Sequence, residues 1–469
     1  MTFSRRNFLA LAGATVAGAT ILSPLQTLYA KAAGGGITKS VGYGPLSALL
    51  PENADELAGT IVDGVDLGTT PILELPTGFH YTAISIVGQP MHDGGTVPGL
   101  HDGMGAFEGP NNSTFLIRNH EVSANGGHAV IPSNSDKYDQ LGGGTTTLIV
   151  GPDRRVRFQY ASLAGTIRNC AGGRTPWNSW ISCEENTSLP GGGNTKKHGY
   201  NFEIPINEGV SVAEPFPLVA MGRFNHEAVA VEPKTGWIYQ TEDEGDSCFY
   251  RFRPNVAGDL RSGGVLEALQ ITDSRASNVE AGTGSSNTAN GYRDLLNVPL
   301  SVTWVQIPNV DPDTNNSSTS VRRQGRNAGA ARFSRGEGAF YGNDKIYFLC
   351  TNGGNAAAGQ VWSYESGETP ETGTLTLVVE ALATDPLFMP DNMCVSPFGD
   401  LFLCEDGDGV QDVVGVNTRG ELYTFASNIL NGSEFAGSCF SPDGHTLFVN
   451  IQSPGITVAI WGPWDRKRV

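Results

Sequence analysis

The sequence predicts an all-β chain, a six-bladed β-propeller with long insertions between blades. Three observations carry this. One phrase recurs six times, its apolar runs have the length of strands, and 61 glycines and 27 prolines among 469 residues provide for many tight turns. No sustained 3.6-residue hydrophobic period is visible in the chain beyond its N-terminal segment.

The phrase is a Pro/Gly/Asn turn, an apolar run, then polar residues. Its copies are EGPNNSTFLIRNHE (108–121), RTPWNSWISCEEN (174–186), VEPKTGWIYQTEDEGD (231–246), FYGNDKIYFLCTNGG (340–354), SPFGDLFLCEDGDG (396–409) and SPDGHTLFVNIQSPG (441–455). Apolar runs of about five residues bounded by turn signals read as strands buried on both faces. The copies lie about 45 to 65 residues apart, with one gap near 105. Repeats of this length that supply several short strands each indicate a propeller. The large gap contains residues 255–330, rich in Gly, Ser, Asn and Thr, and reads as an elaborated loop insertion. A single propeller, residues 33–469, then accounts for the chain after its leader.

The leader is residues 1–32. Arg5 and Arg6 precede an apolar stretch, Phe8 to Leu22, and small residues follow around Ala30. Fifteen such residues are too few to cross a hydrocarbon layer of about 30 Å, so no stable membrane anchor is expected. The pattern is similar to a twin-arginine signal peptide, which implies handling by the Tat translocase and a periplasmic or secreted product. The net charge is −18, and loss of Arg5, Arg6 and Lys31 with the leader takes it to −21. With no basic patch, nucleic acid is not an expected partner. The seven cysteines fit no disulfide framework and read as buried thiols.

The end of each repeated strand poses an electrostatic problem. The third copy runs directly into Glu242, Asp243, Glu244 and Asp246. Two carboxylates about 4 Å apart repel by roughly 4 kcal/mol at an effective dielectric near 20. Either these groups face water or cations sit among them. If the repeated strand is an inner propeller strand, the ends of all six meet at one channel mouth. That mouth collects Asn119, Glu121, Glu184, Glu185, Glu242 to Glu244, Asn352, Glu405, Asp406, Asn450 and Gln452. Such an oxygen-rich ring suits calcium, which takes six to eight oxygen ligands.

Between the repeats lie further candidates: Cys170 in RNCAGG, His226 and Glu227 in FNHEA, Arg335 and Glu337 in FSRGEGAFY, and Asp391 and Asn392 in MPDNMCVS. Arg335 and Glu337, two apart in an extended segment, point the same way. Arg335 is either a structural ion-pair partner or an anion clamp, since a guanidinium matches phosphate oxygens in a fork. A thiolate at Cys170 would select a transition metal over calcium. His120 and His226, each preceding a Glu, read as orienting that carboxylate.

These stretches, with LAGTIRNCAGG, PDNMCVSPFGDLFLCED and EFAGSCFSPDGHTLFVNIQSPGIT, together resemble the PhoX family of alkaline phosphatases across roughly residues 107–458. The resemblance implies an exported six-bladed propeller that hydrolyses small phosphomonoesters at an oxide-bridged cluster of ferric iron and calcium, for phosphate scavenging; a monomer is expected. Carried over by motif, Cys170 would be the iron thiolate. Glu121, Glu185, Glu227, Glu337, Asp391 and Glu405 would be carboxylate ligands, Asn119 and Asn392 neutral ones and Glu242 a lesser candidate, with Arg335 holding the phosphate. No second basic phosphate contact is marked by a motif, although Arg332 and Lys345 lie nearby in sequence. Two other functions fit the same residues: an exported calcium-binding propeller without turnover, and a propeller lactonase or esterase.

Overall fold

The computed structural model describes residues 41–464 apart from 124–127, 132–135, 207–208, 210, 277, 279–284 and 316–317. The leader at residues 1–32 therefore lies outside the described residues. The chain is all-β and propeller-like, built from antiparallel runs that each start near one axis. Six strands begin these runs: His101–Glu108, Asn169–Arg174, His226–Val231, Gly336–Gly342, Pro390–Val395 and Phe435–Phe440. Each packs against the next in cyclic order, and the last returns to the first. Close approach is enforced by glycine. A Cβ on Gly173 would lie 2.0 Å from the carbonyl of Val229, and one on Gly437 would lie 2.3 Å from that of Asp102.

The repeated apolar phrase is the second strand of each run, not the innermost as expected. Thr114–His120, Ser179–Glu184, Ile238–Glu242, Lys345–Cys350, Leu401–Glu405 and Thr446–Ile451 pair antiparallel with the six inner strands. Buried on both faces between neighbouring runs, these strands are the most continuously apolar segments, which is why they dominate the sequence pattern. The inner strands are broken by small residues and carry charge at one end.

The ring closes through the N-terminal part of the chain. Strand His80–Ile86 pairs with Ile456–Trp461 along the outside of the last run. Leu73–Pro76 extends the run that begins at Pro390. Residues 255–330 are not a loop insertion. They contain strand Asp259–Ile271, strand Leu300–Gln306 and a short helix, Val321–Asn327. Leu300–Gln306 pairs with Asp259–Ile271 on one side and Gly373–Glu380 on the other, fusing two neighbouring runs into a nine-stranded sheet. All seven cysteines are buried and unpaired with one another.

Candidate metal centre

Five of the inner strands meet their partners at the first residue and then slip register, and the sixth slips after its second residue, Ala436. The breaks lie at His101/Met104, Asn169/Gly172, His226/Val229, Gly336/Ala339, Pro390/Asn392 and Ala436/Cys439. A bulge re-aims the side chain that it leaves unpaired. In five of the six strands that second residue is Asp102, Cys170, Glu227, Glu337 or Asp391, and all five line one cavity at the axis.

A second tier comes from the residue just past each repeated strand: Glu121, Glu185, Asp243, Asp406 and Gln452. One backbone hydrogen bond recurs here in all six runs. The N–H groups of Glu121, Glu185, Asp243, Thr351, Asp406 and Gln452 donate to the carbonyls of Leu100, Arg168, Asn225, Arg335, Met389 and Glu434. Those six acceptors immediately precede the inner strands, and three of them, Arg168, Arg335 and Glu434, form the third tier of the lining. Nine carboxylates, one thiol, two guanidiniums and one amide thus surround a cavity of about 150 Å³.

Two triads of donor atoms stand out, Glu121–Cys170–Glu185 and Glu227–Glu337–Asp391, the atoms of each within 4.8 Å of one another. Burial, reinforced by neighbouring carboxylates, pushes Asp102, Glu227, Glu337 and Glu434 well above the usual carboxylate range. Burial raises Glu121 and Asp391 to about 7. Cys170 is likewise held as a thiol by burial and by the charges of Glu185 and Glu227, its Sγ donating to Glu185 Oε2 at 3.1 Å. Groups that resist ionisation this strongly in the protein alone are those that a bound cation would ionise. Arg335 donates through Nε and Nη2 to Asp243 at 2.8 and 3.0 Å and through Nη2 to Glu337 at 2.9 Å. Arg168 reaches Glu121 at 2.6 Å and also contacts Glu185.

The structure brings together Glu121, Cys170, Glu185, Glu227, Arg335, Glu337 and Asp391. Four other expected ligands lie elsewhere. Asn119 is spent on structure: its amide donates to the carbonyls of Cys170 and Ala171 and accepts from Trp180 and Ser182. Glu405 accepts the backbone N–H groups of Phe388 and Asp412 at 2.5 and 3.1 Å. Glu242 is fully buried and accepts from Tyr250 Oη and Arg322 Nη1. Asn392 lines a separate, largely apolar cavity of about 230 Å³ beside Met393, Trp180 and Val229. The shared cause for Glu405 and Glu242 is a one-residue step. The last residue of the repeated strand points into the fold, and the residue after it turns to the axis. In SCEE the same step makes Glu184 structural and Glu185 the lining residue. His226 stacks on Phe224 and donates to the Gly222 carbonyl, while His120 contacts Gly99 and Thr146, so both point away from the cavity.

Asp102, Arg168 and Glu434 escaped the sequence reading, although Asp102 occupies the same inner-strand position as Cys170, Glu227 and Glu337. Arg332 and Lys345 do not line the cavity. Arg332 donates to the Gly245 carbonyl and Lys345 pairs with Glu365.

A family model described as alkaline phosphatase PhoX matches residues 60–455. The chain belongs to the PhoX family of alkaline phosphatases. PhoX of Pseudomonas fluorescens in complex with vanadate, a transition-state analogue, is similar in structure, with a TM-score of 0.63 at 18% identity over 83% of this chain and 96% of that one. Weaker likeness extends to virginiamycin B lyase of Staphylococcus aureus (TM-score 0.40, 10% identity, 82% and 99% covered). It extends also to the periplasmic gluconolactonase of Pseudomonas aeruginosa (TM-score 0.41, 11% identity, 83% and 93% covered). Among curated proteins, none matches this sequence. As a PhoX-family chain the protein is a phosphatase, and its axial cavity is the place to look for the chemistry.

Proposed function

We propose that this protein is a six-bladed, exported phosphomonoesterase whose axial cavity holds ferric iron and calcium. The observation that carries the reading is the convergence of nine carboxylates and a thiol on one small cavity that also presents guanidinium groups. The donor set fits such a centre, with many hard oxygens for calcium and one soft sulfur to favour iron. Glu121, Cys170 and Glu185 would hold one end of it, and Glu227, Glu337 and Asp391 the other. The cations would supply the positive charge that neutralises a phosphoryl group and the Lewis acidity that activates water.

What the chain itself contributes is position and charge. Arg335 presents its guanidinium at the cavity and offers a planar fork to phosphate oxygens. Asp243 and Glu337 fix its direction. The bulges set the donor side chains, and neighbouring runs lock the backbone behind them. Asn119, Thr241 and Asn450, each next to last in a repeated strand, donate to the carbonyls of Cys170, Glu337 and Asp102 in the next run. A site held this way needs little reorganisation as charge develops on the phosphoryl oxygens. Among the described residues no helix is long and apolar enough to cross a membrane. The paired arginines of the leader support Tat export, and export would place the scavenging of phosphate from small phosphoesters outside the cytoplasm.

The test is hydrolysis of p-nitrophenyl phosphate by metal-loaded protein, with elemental analysis of the same sample. Activity that is lost with a chelator and restored by calcium and ferric iron is expected. Release no faster than that of the Arg335→Ala variant would overturn the reading.

A further inference from the structure

We propose that Arg168 is a second anion contact, forming with Arg335 a two-guanidinium clamp on the phosphate; this rests on the phosphatase reading above. Of the six residues that precede the inner strands, two carry a cation, Arg168 and Arg335. Both have left-handed backbones, with φ of 47° and 49°, and in both the carbonyl accepts the recurring hydrogen bond from the neighbouring strand end. Leu100 and Met389 share that backbone conformation, so the turn recurs in four of the six runs and the guanidinium is what distinguishes Arg168 and Arg335 among them.

Each guanidinium contacts a different donor triad. Arg168 touches Glu121 and Glu185 beside Cys170, and Arg335 touches Glu337 and Asp243 beside Asp391. The inner strand bearing Glu227 lies between them, so the two arginines reach the same cavity from two sides. Arg168 is also incompletely satisfied. Its Nε is buried and has no hydrogen-bond partner, whereas the Nε of Arg335 is paired with Asp243. A buried N–H without a partner costs free energy, and an oxygen of a bound anion would remove that cost. The Arg168 side chain is still 37% exposed, which leaves it open to a ligand entering from solvent. Cations on the two triads would draw Glu121, Glu185 and Glu337 toward themselves and free both guanidiniums for phosphate oxygens.

The alternative is that Arg168 serves as a counter-charge for Glu121 and Glu185. The two roles separate on metal-loaded full-length protein with inorganic phosphate as the calorimetric probe and p-nitrophenyl phosphate as substrate. Arg168→Ala is expected to weaken phosphate binding and raise KM tenfold or more with metal content unchanged, and Arg168→Lys, which keeps the charge without the fork, to fall between. Unchanged phosphate affinity in Arg168→Ala, or loss of metal from both variants, would overturn the clamp and leave the phosphatase reading standing. Wild-type protein that neither binds phosphate nor hydrolyses the ester would overturn both.

Discussion

Removing one carboxylate from the cavity is expected to stabilise the metal-free protein and destabilise the metal-loaded one. Asp391→Asn is the clearest case. The donor atoms of Glu227, Glu337 and Asp391 lie within 4.8 Å of one another. At that separation and an effective dielectric near 20, each ionised pair repels by roughly 3.5 kcal/mol. Three pairs approach the whole stability of an ordinary domain, about 5–15 kcal/mol. The metal-free protein relieves this by keeping protons, and burial with its acidic neighbours raises Asp391 from 3.8 to about 7. A carboxyl whose folded value lies above its unfolded value costs nothing below about pH 4. The cost grows between about pH 4 and 7 and is constant above. A rise from 3.8 to about 7 corresponds to about 4 kcal/mol, trimmed to about 2–4 by partial exposure to solvent. Denaturant unfolding in chelator should therefore show Asp391→Asn more stable than wild type by about 2–4 kcal/mol at pH 8 and equal to it near pH 4. With iron and calcium added the order should reverse if Asp391 is a ligand, as proposed above. A variant no more stable than wild type at pH 8 in chelator would refute the repulsion argument.

Other substitutions separate roles that the sequence leaves entangled. Cys170→Ser should abolish any visible thiolate-to-iron absorption and lower bound iron while calcium is retained; an unchanged spectrum and iron content would remove Cys170 from the ligand set. Glu184→Gln should cost about 1–3 kcal/mol of stability, since Glu184 accepts from buried His198 at 2.7 Å and from the backbone of Ile167, Gly199 and Tyr200. Glu185→Gln should instead lower metal content without that loss, as read by elemental analysis and unfolding in chelator. Arg322→Ala strands Glu242 in the interior and should cost about 3–5 kcal/mol. It should also raise KM, because Arg322 ties down Glu242 and Asp246 on either side of Asp243.

The propeller was legible because six strands, sandwiched between neighbours, must be apolar and must end at turns. The same selection hid the inner strands. NCAGG, HEAVAV, GEGAFYG and PDNMCV are short, interrupted by glycine or charge, and have little periodicity. Their chemistry could be read and their strand character could not. The cavity-lining acid was misassigned where two acids are adjacent, in Glu242–Asp243 and Glu405–Asp406. Nothing local tells which of the two faces the axis until the register is known. Asp102 and Glu434 were missed because HDGMG and SEFAG do not read as strands by themselves; only alignment of the inner strands puts Asp102 level with Cys170. Residues 255–330 have the composition of a loop. Partnership with two existing sheet edges makes Leu300–Gln306 a strand there, a non-local cause that composition cannot reveal.

The adjacent acids also explain why the strand end is so crowded with charge. In Glu184–Glu185, Glu242–Asp243 and Glu405–Asp406 the first member turns inward and accepts from backbone N–H groups, His198 or Arg322. It pins the loop that carries the second member. The second turns to the axis, where its backbone N–H is held by the residue that precedes the neighbouring inner strand. One acid is therefore neutralised by the protein and the other is left for a cation. A ring built from such pairs can hold repelling carboxylates in place without metal, because the force on each outward-facing charge is transmitted to an anchored neighbour one residue away. Replacing the anchor should blur the site, and replacing the ligand should empty it, which is why the Glu184 and Glu185 variants are expected to fail differently.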